Sequence, residues 1–332
     1  MGVRRTSRFT AFHLLSAFLL CVPAAAQSLQ GLKPESVKTA VPPQQQIPSG
    51  WRSVRTATTS SRDVRNKYDL GQIGHRRVDQ GMNFYSRQAE KTLGRTLAAL
   101  VEPHLQLITD VPVNRYMNQL GQKIASRSDA IEPVTIKIVS DPEPNAYSLP
   151  GGVIYIDSGL ILATENEAQL AAALAHETAH VAARHFTRLF SKKRLWQWSS
   201  WLTAGPAGYL FQRTAMSLLL LKSARQAEFE ADLLGLEYQY AAGYDPREFI
   251  RLLANLDDPR EQSPTRWDSV RDSHPLTEKR VAQAQLCIAH YLPSRPAEVV
   301  DTSDFQEMKE RVASLMGAQS PTAITSSSEM SQ

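Results

Sequence analysis

The sequence contains little cysteine, since only Cys21 and Cys287 occur among its 332 residues. This scarcity excludes a fold stapled by disulfides and a metal site built mainly from thiolates. A metal site in this chain would have to use histidine and carboxylate ligands. Cys287 stands beside Leu286 and Ile288, an apolar pattern that favours a buried thiol in the core.

Long apolar runs and internal repeats are also lacking. The interval 181–227 is interrupted by a basic cluster and by Gly205-Pro206, and it never reaches about 18 uncharged apolar residues, so we predict no membrane span there. No period of about 20 to 50 residues recurs, which argues against a solenoid. The composition, 42% hydrophobic and 21% charged, is that of an ordinary globular protein.

Residues 1–26 have the pattern of a secretory signal peptide. Arg4, Arg5 and Arg8 precede an apolar run from Ala11 to Val22, and three alanines then stand before Gln27. The run is shorter than the roughly 20 residues that a transmembrane helix needs. We therefore predict secretion with cleavage of this segment; an uncleaved anchor is the alternative.

Three further segments follow the signal peptide. Residues 27–77 are rich in Pro, Gln, Ser, Thr and Arg, which predicts a flexible leader. Residues 78–300 carry periodic apolar patterns and are long enough for one sizeable core. Residues 301–332 are expected to hold the end of a helix and a disordered Ser/Thr tail.

The excess of positive charge lies outside the predicted domain. The chain has 37 Lys and Arg against 33 Asp and Glu, a net charge of +4. Three of the arginines belong to the signal peptide, and residues 27–77 hold nine basic and three acidic side chains, so residues 78–332 carry a net charge of −5. We therefore expect no nucleic-acid partner.

Apolar spacing predicts a mainly α-helical domain with a small β-sheet, an α+β class. Alternation of β-branched residues predicts strands at 134–139 and 153–156. Thr164 and Glu167 have the spacing of a capping box at the start of a buried helix. The predicted helices cover 79–108, 111–127, 164 to about 190, 191–204, 213–242, 246–256 and 276–291.

The segment from His176 to His180 reads His-Glu-Thr-Ala-His. Histidines four apart share one helical face, with Cβ atoms about 5–6 Å apart, which suits two ligands of one tetrahedral ion. Glu177 lies beside that face, where a carboxylate can accept the proton of an attacking water. A surface helix with these residues by chance is the alternative, but the preceding apolar run Leu170–Ala175 indicates burial, and buried polar groups need partners.

A third ligand is expected from a second helix. Glu228 and Asp232 are four residues apart, so one can bind the metal while the other accepts the N–H of a ligand imidazole. Glu230 points elsewhere, and an acidic solvated face is the alternative. His185 is one residue out of register with the third histidine of the metzincins, so we expect a surface or supporting role for it.

Four motifs in this order resemble a known family. They are Asn145-Ala146-Tyr147 with Leu149-Pro150-Gly151-Gly152, the run Leu174–His180, the run Glu228–Asp232, and Ser273-His274-Pro275 with Arg280 downstream. Over residues 80–291 the chain resembles the HtpX- and BepA-like zinc metallopeptidases, a gluzincin family that includes the CAAX prenyl protease and a mitochondrial inner-membrane stress protease.

The resemblance implies a zincin-type gluzincin domain with one zinc ion and an extended substrate. It places the zinc on His176, His180 and Glu228 and makes Glu177 the general base. It also implies that the strand near Asn145 to Gly152 borders the cleft, where a substrate could add as a β-strand. The implied substrate-binding positions are Asn145, Ala146, Tyr147, Gly151 and Gly152.

Two downstream residues keep alternative roles. In the family pattern His274 either donates to the oxyanion of the tetrahedral intermediate or occupies the fourth zinc position of a resting enzyme. A helix cap is the ordinary alternative for a histidine before proline. Arg280 either stabilises the intermediate or pairs with Asp232 or with a helix end.

The chain lacks the long apolar spans of the membrane-embedded members, so a soluble exported bacterial member is expected. The predicted function is a zinc-dependent endopeptidase for unfolded or misassembled envelope proteins. Its alternatives are a latent protease that acts mainly as a chaperone or assembly factor, and a zinc-stabilised scaffold. Trp196, Trp198 and Trp201 follow a basic cluster, where they would contact a membrane interface or form a lid over the cleft.

Overall fold

The computed structural model describes residues 68–203, 206–255, 274 and 278–318, with the backbone alone for 196–203 and 206–221. The chain divides into two compact units, Met1–Asp69 and Leu70–Gln332, and every element below lies in the second. The predicted signal peptide, most of the predicted leader and the predicted tail after residue 318 lie outside the described residues, as do the side chains of the three tryptophans.

The second unit is mainly helical with one three-stranded sheet, which confirms the predicted α+β class. The described helices are α1 (Arg87–Val101), α2 (Val111–Ala125), α3 (Ser158–Ala163), α4 (Glu167–Ala182), α5 (His185–Thr203), α6 (Pro206–Ala241), α7 (Arg247–Asn255), α8 (Glu278–Tyr291) and α9 (Ser303–Ala318). The strands are β1 (Thr135–Val139), β2 (Ala146–Leu149) and β3 (Val153–Asp157). Across these described ranges, no helix has both the length and the hydrophobicity to span a membrane.

The sheet has the order β1-β3-β2, with β1 parallel and β2 antiparallel to β3. Its isoleucines alternate with larger polar or aromatic residues, and Ile136, Ile154 and Ile156 are fully buried. This alternation predicted β1 and β3. The short β2 was expected only from the family resemblance, because Pro142 and Pro144 mask its start in the sequence pattern.

Helix α4 lies at the centre of the unit and packs against α2, α6, α7 and β2. Its N-cap is Asn166, whose side chain accepts a hydrogen bond from the Gln169 N–H at 2.9 Å. The predicted capping box at Thr164 is wrong, because Thr164 ends α3 and its hydroxyl bonds to the Ile161 carbonyl. Both residues are good caps, and the sequence alone does not separate them.

Helix α4 ends at Ala182 rather than near residue 190. Arg184 has φ = 55°, a left-handed conformation that a non-glycine residue rarely adopts, and α5 begins at the next residue. An ion pair with Glu90 and a hydrogen bond of 2.6 Å to the Tyr85 carbonyl hold the Arg184 side chain. These contacts stabilise a break that the apolar pattern does not reveal.

The N-terminal boundaries also differ from the prediction. Helix α1 starts after Ser86, whose hydroxyl caps the Ala89 N–H, and it gives way to a 3-10 turn at Pro103, which cannot donate within a helix. The predicted leader reached residue 77, yet the compact unit begins at Leu70. Within this segment Arg76 is buried and pairs with the rest of the unit.

The C-terminal segment holds the start of the central helix. The Ala168 N–H donates to the Val300 carbonyl at 2.9 Å, and the Glu167 N–H donates to Asp301 Oδ1 at 3.1 Å. Thr302 donates to the Glu167 carboxylate. Helix α9 follows directly and is a full helix rather than the short end that the sequence suggested.

Candidate metal centre

The two histidines of α4 point into one buried site, as their spacing predicted. Their rings lie 4.7 Å apart between centroids, and the two Nε2 atoms are 3.0 Å apart. His176 is buried and His180 is half-buried. The helix presents both Nε2 atoms toward α6, which supplies the next group.

Helix α6 approaches α4 closely because Gly235 has no side chain. A Cβ at Gly235 would lie 3.0 Å from both the Cα and the backbone N of His176. Ala175 and Ala231 are buried and have small side chains, so they allow the two helices to lie close together. This close approach brings Glu228 and Asp232, which lie earlier on α6, within reach of the two imidazoles.

Glu228 completes a set of three donors. Its Oε2 lies 3.4 Å from His176 Nε2, and its Oε1 lies 3.4 Å from His180 Nε2. Donors about 2.0–2.1 Å from a tetrahedral ion lie about 3.3 Å from one another. The three groups therefore have the donor chemistry and the spacing to hold a metal ion.

His274 adds a fourth donor to this set. Its Nδ1 lies 2.9 Å from Glu228 Oε2 and 3.4 Å from His176 Nε2. The donor atoms of His176, His180, Glu228 and His274 all lie within 4.8 Å of one another. This position is compatible with the fourth-ligand role, one of the two roles that the family pattern suggested for His274.

Asp232 and Arg280 support the ligands from behind. Asp232 Oδ1 lies 3.1 Å from His176 Nδ1, so the carboxylate can fix the tautomer in which Nε2 is free to bind a metal. Arg280 is buried and donates to both Asp232 oxygens, at 2.5 and 2.7 Å. It also donates to the His274 carbonyl at 3.1 Å. Of the alternatives for Arg280, the structure shows the pair with Asp232.

Glu177 lies on the far side of the His274 ring from Glu228, and Glu177 and His274 each shift the pKa of the other. Glu177 Oε1 is 3.2 Å from His274 Nε2. Burial raises the pKa of Glu177, but the charge and the hydrogen bond of His274, together with the charges of His180 and His176, outweigh this effect and lower the pKa to about 2. Burial lowers the pKa of His274, whereas Glu228 and Glu177 raise it well above its usual value. A metal ion would compete with the proton for the His274 Nδ1, because metal ligands must be deprotonated.

The strand that was predicted to border the cleft is present as β2. Ala146 and Tyr147 lie on β2, whose other edge pairs with no strand among the described residues. Tyr147 stacks on Tyr155 at 5.0 Å, and the Asn145 carbonyl accepts from the Asp157 N–H. Among the described strands, β2 is therefore at one end of the sheet.

The two glycines of this motif form the turn between β2 and β3. Gly151 and Gly152 have φ of 85° and 98°, and a Cβ at either would lie within 3.0 Å of backbone atoms of Lys91 or Pro133. The neighbours of these two glycines are therefore α1 and the chain before β1. This turn requires glycine for its backbone, and the structure gives it no contact with the metal ligands.

The structure adds detail at three positions that reasoning from the sequence had missed or left open. The close approach at Gly235 was not anticipated, although a glycine seven residues after Glu228 in a long helix is a signal of close packing. His185 was expected at the surface or in a supporting role, and the structure buries it beside His180. Glu230, expected to point elsewhere, lies next to His185.

A buried His-Glu-x-x-His helix with a carboxylate from a second helix defines the gluzincin class of metallopeptidase sites. The family model for peptidase family M48 matches residues 112–287. The chain therefore belongs to this family, and the predicted resemblance is confirmed.

Several curated relatives are similar over the same region. The beta-barrel assembly-enhancing protease of Escherichia coli (strain K12) is 28% identical over 219 residues, which are 62% of this chain and 44% of the relative. The mitochondrial metalloendopeptidase OMA1 of Schizosaccharomyces pombe is 30% identical over 197 residues, 58% of this chain and 57% of the relative. The chain spans about half the length of these relatives.

Proposed function

We propose that this protein is an exported zinc-dependent endopeptidase that acts on unfolded or misassembled envelope proteins in the periplasm. The observation that carries the activity is the set of His176, His180 and Glu228 at tetrahedral spacing, with the Glu177 carboxylate beside it. The export signal in residues 1–26 supports the location. The similarity to the beta-barrel assembly-enhancing protease supports the substrate class.

The roles of the residues follow from their positions. When bound, zinc would supply Lewis acidity, which makes water a nucleophile at neutral pH. The ionised Glu177 accepts the proton of the attacking water and returns it to the leaving amine. Asp232 holds His176 in the tautomer that leaves Nε2 available. In this proposal β2, which stands at one end of the described sheet, pairs with the substrate backbone and orients the scissile bond.

The activity is tested with a matched set of variants of the mature protein. Glu177→Gln should lose casein cleavage by at least about 100-fold and keep its zinc, whereas Glu228→Ala should lose both. Glu278→Gln, at an exposed position on α8, serves as the control. If wild type and Glu228→Ala both bound stoichiometric zinc, Glu228 would not be the third ligand.

A latent form of the same enzyme is favoured by one observation, the His274 Nδ1 within the ligand set. A closed set of four protein ligands is typical of a structural or resting zinc site, while a catalytic site keeps one position open. If His274 blocks that position, His274→Ala should raise casein cleavage. If His274 stabilises the oxyanion instead, the same variant should lower it.

A chaperone or assembly factor for envelope proteins would bind unfolded chains at the same cleft and rarely cut them. Complementation by Glu177→Gln separates the two functions in the cell: an endopeptidase loses its effect, and a chaperone keeps it.

Contact of the segment around Trp196, Trp198 and Trp201 with a membrane remains part of this proposal. Flotation of the protein with anionic vesicles, compared with a variant that has alanine at the three positions, tests it. We expect no binding to nucleic acid, because residues 78–332 carry a net charge of −5.

A further inference from the structure

A buried imidazole that the mechanism above does not use lies behind the metal ligand His180. His185 is 7% exposed, and its ring centroid lies 4.9 Å from that of His180. The Nδ1 atoms of the two rings are 3.1 Å apart, a hydrogen-bond distance. His185 contributes no atom to the four-donor set, so its contact with the site runs through His180.

The direction of this hydrogen bond follows from which nitrogen of His180 faces the other ligands. The Nε2 of His180 lies 3.0 Å from His176 Nε2 and 3.4 Å from Glu228 Oε1. A neutral imidazole that binds a metal through Nε2 carries its proton on Nδ1. Since two Nδ1 atoms in contact cannot both donate, His185 Nδ1 is the acceptor, and the proton of His185 is on Nε2.

The carboxylate of Glu230 lies near the Nε2–H of His185, which needs a hydrogen-bond acceptor. His185 Nε2 is buried and has no hydrogen-bond partner among the described residues, but Glu230 Oε2 lies 3.4 Å away. Arg188 Nη1 lies 3.4 and 3.5 Å from the two oxygens of Glu230 and keeps its carboxylate in place. A carboxylate at this position favours the Nε2–H tautomer of His185, which is the one that can accept from His180.

The backbone break after α4 places His185 in this position. In an uninterrupted helix, residues five apart lie on different faces. The left-handed conformation of Arg184 ends α4 and starts α5, so that His185 turns back toward His180. The ion pair of Arg184 with Glu90, to which Thr187 also donates at 3.0 Å, stabilises the break.

We propose that His185 is a positioning residue for His180: it accepts the Nδ1–H of His180, with Glu230 holding His185 in the required tautomer. Each histidine of α4 then has its own acceptor, Asp232 for His176 and His185 for His180. This inference rests on the proposed function, because it requires His180 to bind the metal through Nε2.

The test is the zinc affinity of the purified mature protein, measured by competition with a chelator. Asn places its amide near the position of the histidine Nδ1, whereas Gln places it near that of Nε2. His185→Phe and His185→Gln should therefore bind zinc about 10- to 100-fold more weakly, and His185→Asn should stay within a few-fold of wild type. His290→Asn, at an exposed position on α8, is the control. The d–d spectrum of the cobalt-loaded protein should change in the first two variants and be restored in His185→Asn.

Unchanged zinc affinity in His185→Phe, or an equal loss in His185→Asn and His185→Gln, would overturn the positioning role. Melting of the zinc-free variants shows which of them fold, and the comparison of Asn with Gln decides the question if the Phe variant does not. A wild-type protein that binds no zinc, or binds it as well without Glu228, contradicts the proposed function instead. Loss of affinity in Glu230→Leu with retention in Glu230→Gln, whose amide oxygen can still accept, supports the role of Glu230.

Discussion

Gly235 of α6 contacts the backbone of His176 in α4: a Cβ at position 235 would lie 3.0 Å from both the Cα and the N of His176. The distance between the two helices is therefore set at the level of the first ligand. Any side chain there would move α6 outward, and Glu228 and Asp232 would move with it.

We expect Gly235→Ala to lower the free energy of unfolding by about 1–3 kcal/mol, the usual cost of overpacking a core. Zinc binding should weaken as well, because the carboxylates of α6 retreat from the imidazoles. Urea unfolding of the zinc-free protein and chelator competition measure the two effects. Gly317→Ala is the matched control, since a Cβ on that helical glycine meets nothing within 4 Å and should be neutral or stabilise by up to about 1 kcal/mol. Identical behaviour of the two variants would contradict the close approach.

Removal of the Asp232 carboxylate should destabilise the protein even without metal. Arg280 is buried and loses its bidentate partner in Asp232→Ala, for which we expect a loss of about 3 kcal/mol. Asp232→Asn keeps the volume and one acceptor and should cost less. In a double-mutant cycle with Arg280→Met, the loss should be smaller than the sum of the single losses. Additive losses would show that the two side chains do not interact.

Asp157 at the end of β3 should make stability depend on pH. Its pKa is raised to about 8 by burial and by the nearby Asp141 and Glu143, whereas in the unfolded chain it is about 3.9. The folded state thus holds this proton more tightly, and stability falls as pH rises from about 4 to 8. Asp157→Asn removes this dependence, so its advantage over wild type should grow between pH 5 and pH 8.

Urea unfolding at both pH values, with a chelator present to remove metal, measures that difference for Asp157→Asn. Asp304→Asn, at an exposed position, is the control. The same difference at pH 5 and pH 8 would show that Asp157 titrates normally.

Cys287 should resist alkylation in the folded protein. The thiol is 3% exposed, and burial, with a smaller effect of Glu237, raises its pKa to about 12. The reactive thiolate is therefore scarce and inaccessible. Intact mass after iodoacetamide treatment should show one added group in urea and none in buffer for the mature protein. Rapid labelling in buffer would place Cys287 at the surface.

The segment 70–77 should be required for stability. Arg76 donates to Asp129 at 2.7 Å and to Glu237 at 2.6 Å, and both carboxylates are buried. A chain that starts at residue 70 keeps Arg76 and serves as the reference. A chain that starts at residue 78 should be less stable by about 3 kcal/mol, because two buried carboxylates lose their counter-charge. Equal unfolding midpoints of the two chains would show that the ion pairs of Arg76 do not stabilise the protein.

The sequence could predict which candidate donors share a helical face, because that geometry is local. His176 with His180, and Glu228 with Asp232, share a face through helical periodicity alone, and the structure brings the two pairs together. The cap at Asn166 was missed because a residue 82 positions away helps to decide it, through a hydrogen bond of 2.9 Å to Glu248.

The sequence left His185 open between a surface and a supporting role for a similar reason. Its approach to His180 depends on the break at Arg184, which Glu90 stabilises from 94 residues away. Contacts of this kind, between residues far apart in the sequence, are not encoded in any local pattern. The ion pairs of Arg76 are also contacts between residues far apart in the sequence. They explain why the compact unit begins upstream of the predicted boundary.

The attachment of residues 300–302 to the first turn of α4 has a consequence for the order of events during synthesis. The Glu167 N–H finds its acceptor on Asp301, 134 residues later. A nascent chain that has not yet reached residue 300 lacks the contacts that fix the start of the helix carrying His176 and His180. This helix therefore gains its full support only late in synthesis, after α2, α6, α7 and β2, which pack against it, have been made.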